Sequence, residues 1–146
     1  MLKQYIEKII SGQNLTQQEA GEAMDIILTG QANDSQLASF LSVLKMKGES
    51  LDEIAGFAKT LISHADHVPH SKPVMCNCGT GGDTKNTFNI STTAAFVLAA
   101  GGVTVAKHGN RGVSSASGSS DVLGELGVRY NLTPANAGKI IHDIGV

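Results

Sequence analysis

The sequence predicts an α/β protein in consecutive parts: a small helical N-terminal domain over residues 1–65, a linker over 66–73, and the first part of a parallel α/β domain over 74–146, with its sheet incomplete. Three observations predict this. Residues 1–65 hold four short stretches of helical apolar spacing, punctuated by capping residues and stop glycines. The composition changes after His64, and beyond His67-Val68-Pro69-His70-Ser71-Lys72-Pro73 the chain is much richer in glycine, serine and threonine. The order after that linker is strand, helix, strand, helix, which implies a parallel layer.

The first stretch carries a stripe of Leu2, Tyr5, Ile6, Ile9 and Ile10, and Gly12 can end it. Thr16 and Glu19 have capping-box spacing ahead of Ala20, Ala23, Met24, Ile27 and Leu28, with Gly30 as the stop. Asn33 and Gln36 start a third helix lined by Leu37, Phe40, Leu41 and Leu44. Lys45 and Lys47 sit in its last turn and Gly48 ends it. Ser50 and Glu53 form a further box ahead of Ile54, Phe57, Ala58, Leu61 and Ile62. Helices this short need mutual packing or a partner chain. Beyond the linker, Val74 to Cys78 reads as a short buried strand. Asn89 to Ala100 reads as a helix capped by Asn89 or Ser91 and ended by Gly101-Gly102. Val103 to Ala106 is the second strand. Gly118 to Leu126 and Pro134 to Ile144 are two more helices, the last with Thr133 as cap and proline at its first position. Two strands are too few for a stable sheet, so the layer reads as unfinished.

Composition narrows the function classes. With 41% hydrophobic and 16% charged residues the chain can pack a core and is no disordered tail. A net charge of -2 gives no general attraction to nucleic acid or to an anionic membrane, so an anion site must be built locally. No apolar run has membrane-span length and no secretion signal opens the chain, so the cytoplasm is the default location. Cys76 and Cys78, the only cysteines, would point to one face of a strand. They supply half of a zinc site, and the sequence favours reading them as small buried residues. His64, His67 and His70 are spaced by three, but Pro69 and Pro73 break any helix that would align them, so an exposed linker is the expectation.

Two loops carry the candidate chemistry. Gly79-Thr80-Gly81-Gly82-Asp83 follows the first strand and precedes Asn89-Ile90-Ser91-Thr92 at a helix start. Glycines there let backbone amides converge, and the helix N-terminus adds partial positive charge. Ser91 and Thr92 offer hydroxyls, and Asp83 suits sugar hydroxyls or a Mg²⁺ rather than bare phosphate. The spacing is neither a Walker motif nor a dinucleotide fingerprint, and a plain structural turn stays open for this loop alone. The second loop, Lys107-His108-Gly109-Asn110-Arg111, is followed by Ser114-Ser115 and Ser117-Gly118-Ser119. It places two of the chain's eleven basic residues just past a strand, where open α/β sheets bind ligands. A solvated serine-rich loop is the alternative, and His108 by itself reads as a turn residue. Taken together, the two loops have what holding a phosphorylated sugar requires.

These runs, with Thr87-Phe88-Asn89-Ile90-Ser91-Thr92 and Gly118-Ser119-Ser120-Asp121, resemble the anthranilate phosphoribosyltransferase family, and the helical segment resembles that family's N-terminal part. The resemblance implies a type III phosphoribosyltransferase fold, related to nucleoside phosphorylases and homodimeric through the helices. It implies transfer of phosphoribosyl from phosphoribosyl pyrophosphate (PRPP) to the amine of anthranilate, in tryptophan biosynthesis, with Mg²⁺. Carried over by position, Gly79, Gly82, Asp83, Thr87, Asn89, Ile90, Ser91, Thr92, Lys107, His108, Gly109, Asn110, Arg111, Gly112, Val113, Ser114, Ser115 and Ser119 would contact PRPP. Ser91 would also ligate Mg²⁺, and Gly79 and Asn110 would contact anthranilate. Lys107 would act electrostatically, with no acid or base assigned.

Family members are considerably longer, and their second-metal acidic pair and anthranilate-binding arginine fall outside these residues, so little or no turnover is expected of this chain alone. Cys76 stands where an acidic residue is usual, Thr84 where glycine is usual, and Gly124 interrupts a helix. The rival readings are a pyrimidine nucleoside phosphorylase of the same fold and a non-enzymatic dimerisation module with a vestigial site.

Overall fold

Seven helices run through the described residues of the computed structural model, which are 2–79, 89–110 and 118–146. The chain divides into two units, Met1–Ala65 and Asp66–Val146, each with its own architecture.

The first unit is α1 (Lys3–Ile10), α2 (Gln17–Leu28), α3 (Asp34–Lys47) and α4 (Leu51–His64). Three capping boxes start α2, α3 and α4, at Thr16/Glu19, Asn33/Gln36 and Ser50/Glu53, with both arms of each box made. Gly12, Gly30 and Gly48 follow the helix ends with positive φ, the region where a side chain is strained. The core joins Leu2, Tyr5, Ile9 and Leu15 to Phe40 and Leu44, with Ala20 and Ala23 buried beneath them.

The apolar stripes are not buried throughout. Ile10, Leu28 and Leu41 are exposed, and so are Ile54, Ala58, Leu61 and Ile62 of α4. Phe57 alone of that stripe turns inward, meeting Phe40 edge-to-face at 6.1 Å between ring centroids. The physical reason is Gly56. A Cβ there would overlap the Gln17 carbonyl and lie 2.8 Å from Ala20 Cβ, so α4 meets α2 backbone to backbone on its glycine face. That face, rather than the longer aliphatic stripe, is the one that packs.

Glu53 ties this unit together. Its side chain is fully buried. Its carboxylate accepts from Lys47 Nζ at 2.8 Å, from the Ser50 amide at 2.7 Å and from the Leu15 amide at 2.9 Å. One side chain therefore joins the loop before α2, the end of α3 and the start of α4. Burial pushes the Glu53 carboxyl up, but the Lys47 ammonium and the Ser50 and Leu15 amides outweigh it and hold it below the usual range.

In the second unit, α5 (Ile90–Ala100), α6 (Ser119–Glu125) and α7 (Pro134–Ile144) are joined by irregular chain. Asn89, one of the two expected caps, is the N-cap of α5, though its side chain makes no cap bond, and Ser91 lies inside the helix. Gly118 and Leu126 flank α6 as its caps instead of belonging to it. The Thr133 hydroxyl accepts from the Asn136 amide at 3.4 Å and caps α7. Gly138 of α7 lies against the Pro69 carbonyl, so part of the expected linker packs on this helix. Gly124 stays within α6, and the Tyr130 ring takes the flank that a side chain there would cover.

The two expected strands reduce to one parallel bridge, Met75 with Val105. The Met75 amide donates to Thr104 O at 2.9 Å, and the Ala106 amide donates to Met75 O at 2.9 Å. Val105 is fully buried, and its own amide donates to Gly145 O at 2.8 Å. No run of described residues extends into a strand. Segment 74–78 is mostly exposed rather than buried. Among the described residues the Val105 amide meets the Gly145 carbonyl and no further strand, and a two-segment pairing is marginal by itself. His64 ends α4 and lies 2.7 Å from Asp25 Oδ1, while His67 and His70 stack ring on ring in the second unit. Among the described residues no helix is long and apolar enough to cross a membrane.

Removing Glu53 leaves Lys47 and the Leu15 amide without their partner, so Glu53→Ala is expected to cost the helical unit about 3 kcal/mol. Because its carboxyl is held low in the folded state, its stabilisation is present above the ordinary glutamate range and is lost as pH falls through the lowered value. Urea denaturation followed by circular dichroism across acidic pH should show this loss in the unaltered chain and a flatter profile in Glu53→Gln. Equal slopes would contradict it.

Candidate functional site

The Met75–Val105 pairing sets two segments side by side and in the same direction. Past the bridge, Cys76-Asn77-Cys78-Gly79 continues one of them and Ala106-Lys107-His108-Gly109-Asn110 the other. The first turn of α5 meets both. Asn77 Nδ2 donates to Ser91 O at 2.8 Å, and half-buried Lys107 donates from Nζ to Ser91 Oγ at 3.2 Å. A fixed cation, a hydroxyl and a helix N-terminus thus converge at Ser91. That combination attracts an anion through the helix's unpaired amides and partial charge. Thr92, next in the turn, is buried, and among the described residues neither its Oγ1 nor Asn77 Oδ1 has a hydrogen-bond partner.

The second loop is anchored to α6. The Asn110 amide donates to Ser119 Oγ at 3.0 Å, the Ser120 amide donates to Asn110 O at 3.1 Å, and Ser120 is buried. A Cβ on Gly109 would come within 2.9 Å of Ser119 Oγ, so this glycine permits the close approach. At Gly79 no described atom lies within 4 Å of where a Cβ would be.

Of the residues expected at the site, the structure brings Ser91 to Lys107 and Asn110 to Ser119. Asn89 and Thr92 flank Ser91, and Ile90 is exposed on the same turn. Gly82, Asp83, Thr87, Arg111, Gly112, Val113, Ser114 and Ser115 lie outside the described residues, as does Thr84. Asn77, which holds α5 to the first segment, was missed. Its signal was a polar residue inside an otherwise strand-like run.

The cysteines require a correction. Both are exposed rather than buried. Their sulfurs lie 3.3 Å apart, and Cys76 Sγ lies 3.3 Å from His108 Nδ1. The His108 backbone amide, then its imidazole, then Cys78 bring the Cys76 thiol down to about 6. The Cys78 thiol is pushed up, first by its side-chain hydrogen bond with Cys76. His108 is therefore more than a turn residue.

Mg²⁺ can be tested against the donors present. Ser91 Oγ is a hard oxygen, and Lys107 engages only one of its lone pairs. The neighbouring Thr92 Oγ1 has no partner among the described residues. One or two protein oxygens suit an ion that keeps its waters and is otherwise held by phosphate, so the donor set fits.

A family model described as the glycosyl transferase family, a/b domain, matches residues 71–146, just over half of the chain. The chain belongs to this glycosyl transferase family. A second model, the helical bundle domain of the same family, matches residues 3–65. A protein from Moorella thermoacetica named anthranilate phosphoribosyltransferase is 51% identical over the whole of this chain. One of the same name from Streptococcus pneumoniae is 48% identical over 99% of it. The crystal structure of anthranilate phosphoribosyltransferase from Thermus thermophilus superposes with a TM-score of 0.83 at 41% identity, over 96% of this chain and 43% of that one. The chain spans 43% and 44% of the length of the two curated relatives. This family has a helical part and an α/β part, as the sequence led one to expect at that level. The phosphorylase alternative finds no support among these relatives.

Alkylation by iodoacetamide should report the Cys76 environment. Its rate at Cys76 is expected to rise with a midpoint near pH 6, well below that at Cys78. His108→Asn keeps the backbone donor and removes the imidazole, so it should move the midpoint upward without restoring an ordinary thiol. Peptide mapping that finds both cysteines titrating together at an ordinary thiol pH would contradict the geometry.

Proposed function

We propose that this chain carries the PRPP-binding part of an anthranilate phosphoribosyltransferase, which transfers phosphoribosyl from PRPP to the amine of anthranilate and releases pyrophosphate. The observation that carries the reading is the contact of Lys107 with Ser91 at the first turn of α5. It puts a cation, hydroxyls and helix amides where a pyrophosphate would need them. The names of the relatives, matched across the whole chain, point the same way.

The chemistry asks for little acid–base help. An aromatic amine is already neutral at pH 7 and attacks without losing a proton first. The demanding change is negative charge growing on the departing pyrophosphate. Lys107 would meet that charge, and the amides of the α5 first turn with the Ser91 and Thr92 hydroxyls would hold the phosphates in line. Asn110, braced by Ser119, would set the second loop against the sugar or the acceptor amine. Gly82, Asp83, Thr87, Asn89, His108 and Arg111 to Ser115 belong to the same grip. When bound at Ser91, Mg²⁺ would neutralise part of the phosphate charge.

The finer architecture belongs to the same proposal. The single Met75–Val105 bridge supports a parallel sheet whose further strands are not among the described residues. A homodimer through the helical unit is supported by the exposed aliphatics Leu41, Ile54, Leu61 and Ile62, which a partner chain would cover. A cytoplasmic location accompanies this reading.

Calorimetric titration of PRPP into the 146-residue chain tests it. Binding is expected with Mg²⁺ and should weaken without it. Lys107→Ala should weaken it by about tenfold or more, the worth of a charge-assisted hydrogen bond. No heat of binding, or binding indifferent to Lys107→Ala, would overturn the reading. Thymidine phosphorolysis by the chain would replace it with the phosphorylase alternative.

A further inference from the structure

Cys76, Cys78 and His108 form the one group of three metal-ligating side chains that converges among the described residues. Their ligand atoms all lie within 4.8 Å of one another. We propose that they hold a thiophilic metal ion, with zinc as the fitting case, through three protein ligands and one open position.

The geometry comes from the same pairing that builds the rest of the site. Cys76 and Cys78 are two apart in the segment after Met75, and their sulfurs lie together, 3.3 Å apart. The parallel bridge at Met75–Val105 carries His108 alongside them, 32 positions further along the chain than Cys76. Tetrahedral zinc with its usual bond lengths to sulfur and nitrogen separates its ligand atoms by about 3.7 Å. The observed 3.3 Å between the sulfurs, and 3.3 Å from Cys76 Sγ to His108 Nδ1, need to open by a few tenths of an ångström, and the Cys78-to-His108 pair, held within 4.8 Å, has to reach the same spacing. All three side chains are exposed, so they can make that adjustment and the ion can reach them from solvent. Two sulfurs and an imidazole nitrogen, with no carboxylate among them, select a soft or borderline ion over Mg²⁺. Three protein ligands and one vacant position match zinc sites that accept water or a further ligand rather than closed structural sites. This site is therefore separate from Ser91, whose hydroxyl suits a hard cation, and it does not depend on the transferase reading.

The test is a Co²⁺ titration of the chain, kept reduced, followed by absorption. The expected result is one ion per chain with thiolate-to-cobalt charge-transfer absorption. One equivalent of Zn²⁺ should bleach it and excess Mg²⁺ should leave it unchanged. Cys76→Ser, Cys78→Ser and His108→Ala should each weaken binding at least about tenfold, the cost of losing even an outer-shell partner of a metal site. The unaltered chain gives a second readout: Zn²⁺ should protect Cys76 and Cys78 from alkylation in peptide maps. Absence of the charge-transfer band, binding that survives the serine variants, or an ion shared between two chains would overturn the proposal. So would unprotected cysteines in the presence of Zn²⁺.

Discussion

One backbone pairing organises everything chemical in the second unit. Met75 and Val105 are far apart in the chain, and their parallel bridge is what sets Asn77 and Lys107 beside the start of α5 and His108 beside Cys76. Without it, Lys107 would be one exposed lysine in a weakly charged chain and the cysteines would be neighbours only of each other. The bridge is secured on both flanks: two bonds reach across to Met75 and Thr104, and the Val105 amide is taken by Gly145. Val105 itself is fully buried, which excludes water from competing with the bonds.

The first unit depends on a different kind of joint. Its helices start from side chains that bond their own backbones, and they meet at glycines rather than over their widest apolar faces. Glu53 shows the two devices merging. It completes the capping box of α4 and, from the same carboxylate, satisfies Lys47 and the buried Leu15 amide. A buried charge is tolerable only with such complete pairing.

Local signals were legible in the sequence and long-range ones were not. The boxes at Thr16, Asn33 and Ser50 and the proline start of α7 depend on residues a few positions apart, and each formed where the pattern placed it. Burial depends on which face a neighbour covers. For that reason the stripe Ile54, Leu61 and Ile62, which the sequence left to pack on a neighbouring helix or on a partner chain, is exposed, while Gly56 carries the packing. Strand extent is a related case, since pairing beyond the single Met75–Val105 bridge depends on neighbouring segments that local propensity does not specify. At the site, the loops and the cation Lys107 were visible as motifs. The roles of Asn77 and of His108 beside the cysteines appear only when segments distant in sequence are paired, as with Cys76 and His108, 32 positions apart.

If this pairing holds both loops in one PRPP site, a ligand gripping both must tighten it. The direct measurement is amide hydrogen exchange at Met75 and Ala106, the two donors across the bridge, with and without PRPP and Mg²⁺. Slower exchange at both amides on binding is the predicted result. Bound PRPP with unchanged exchange at both would contradict the claim that the bridge unites the loops.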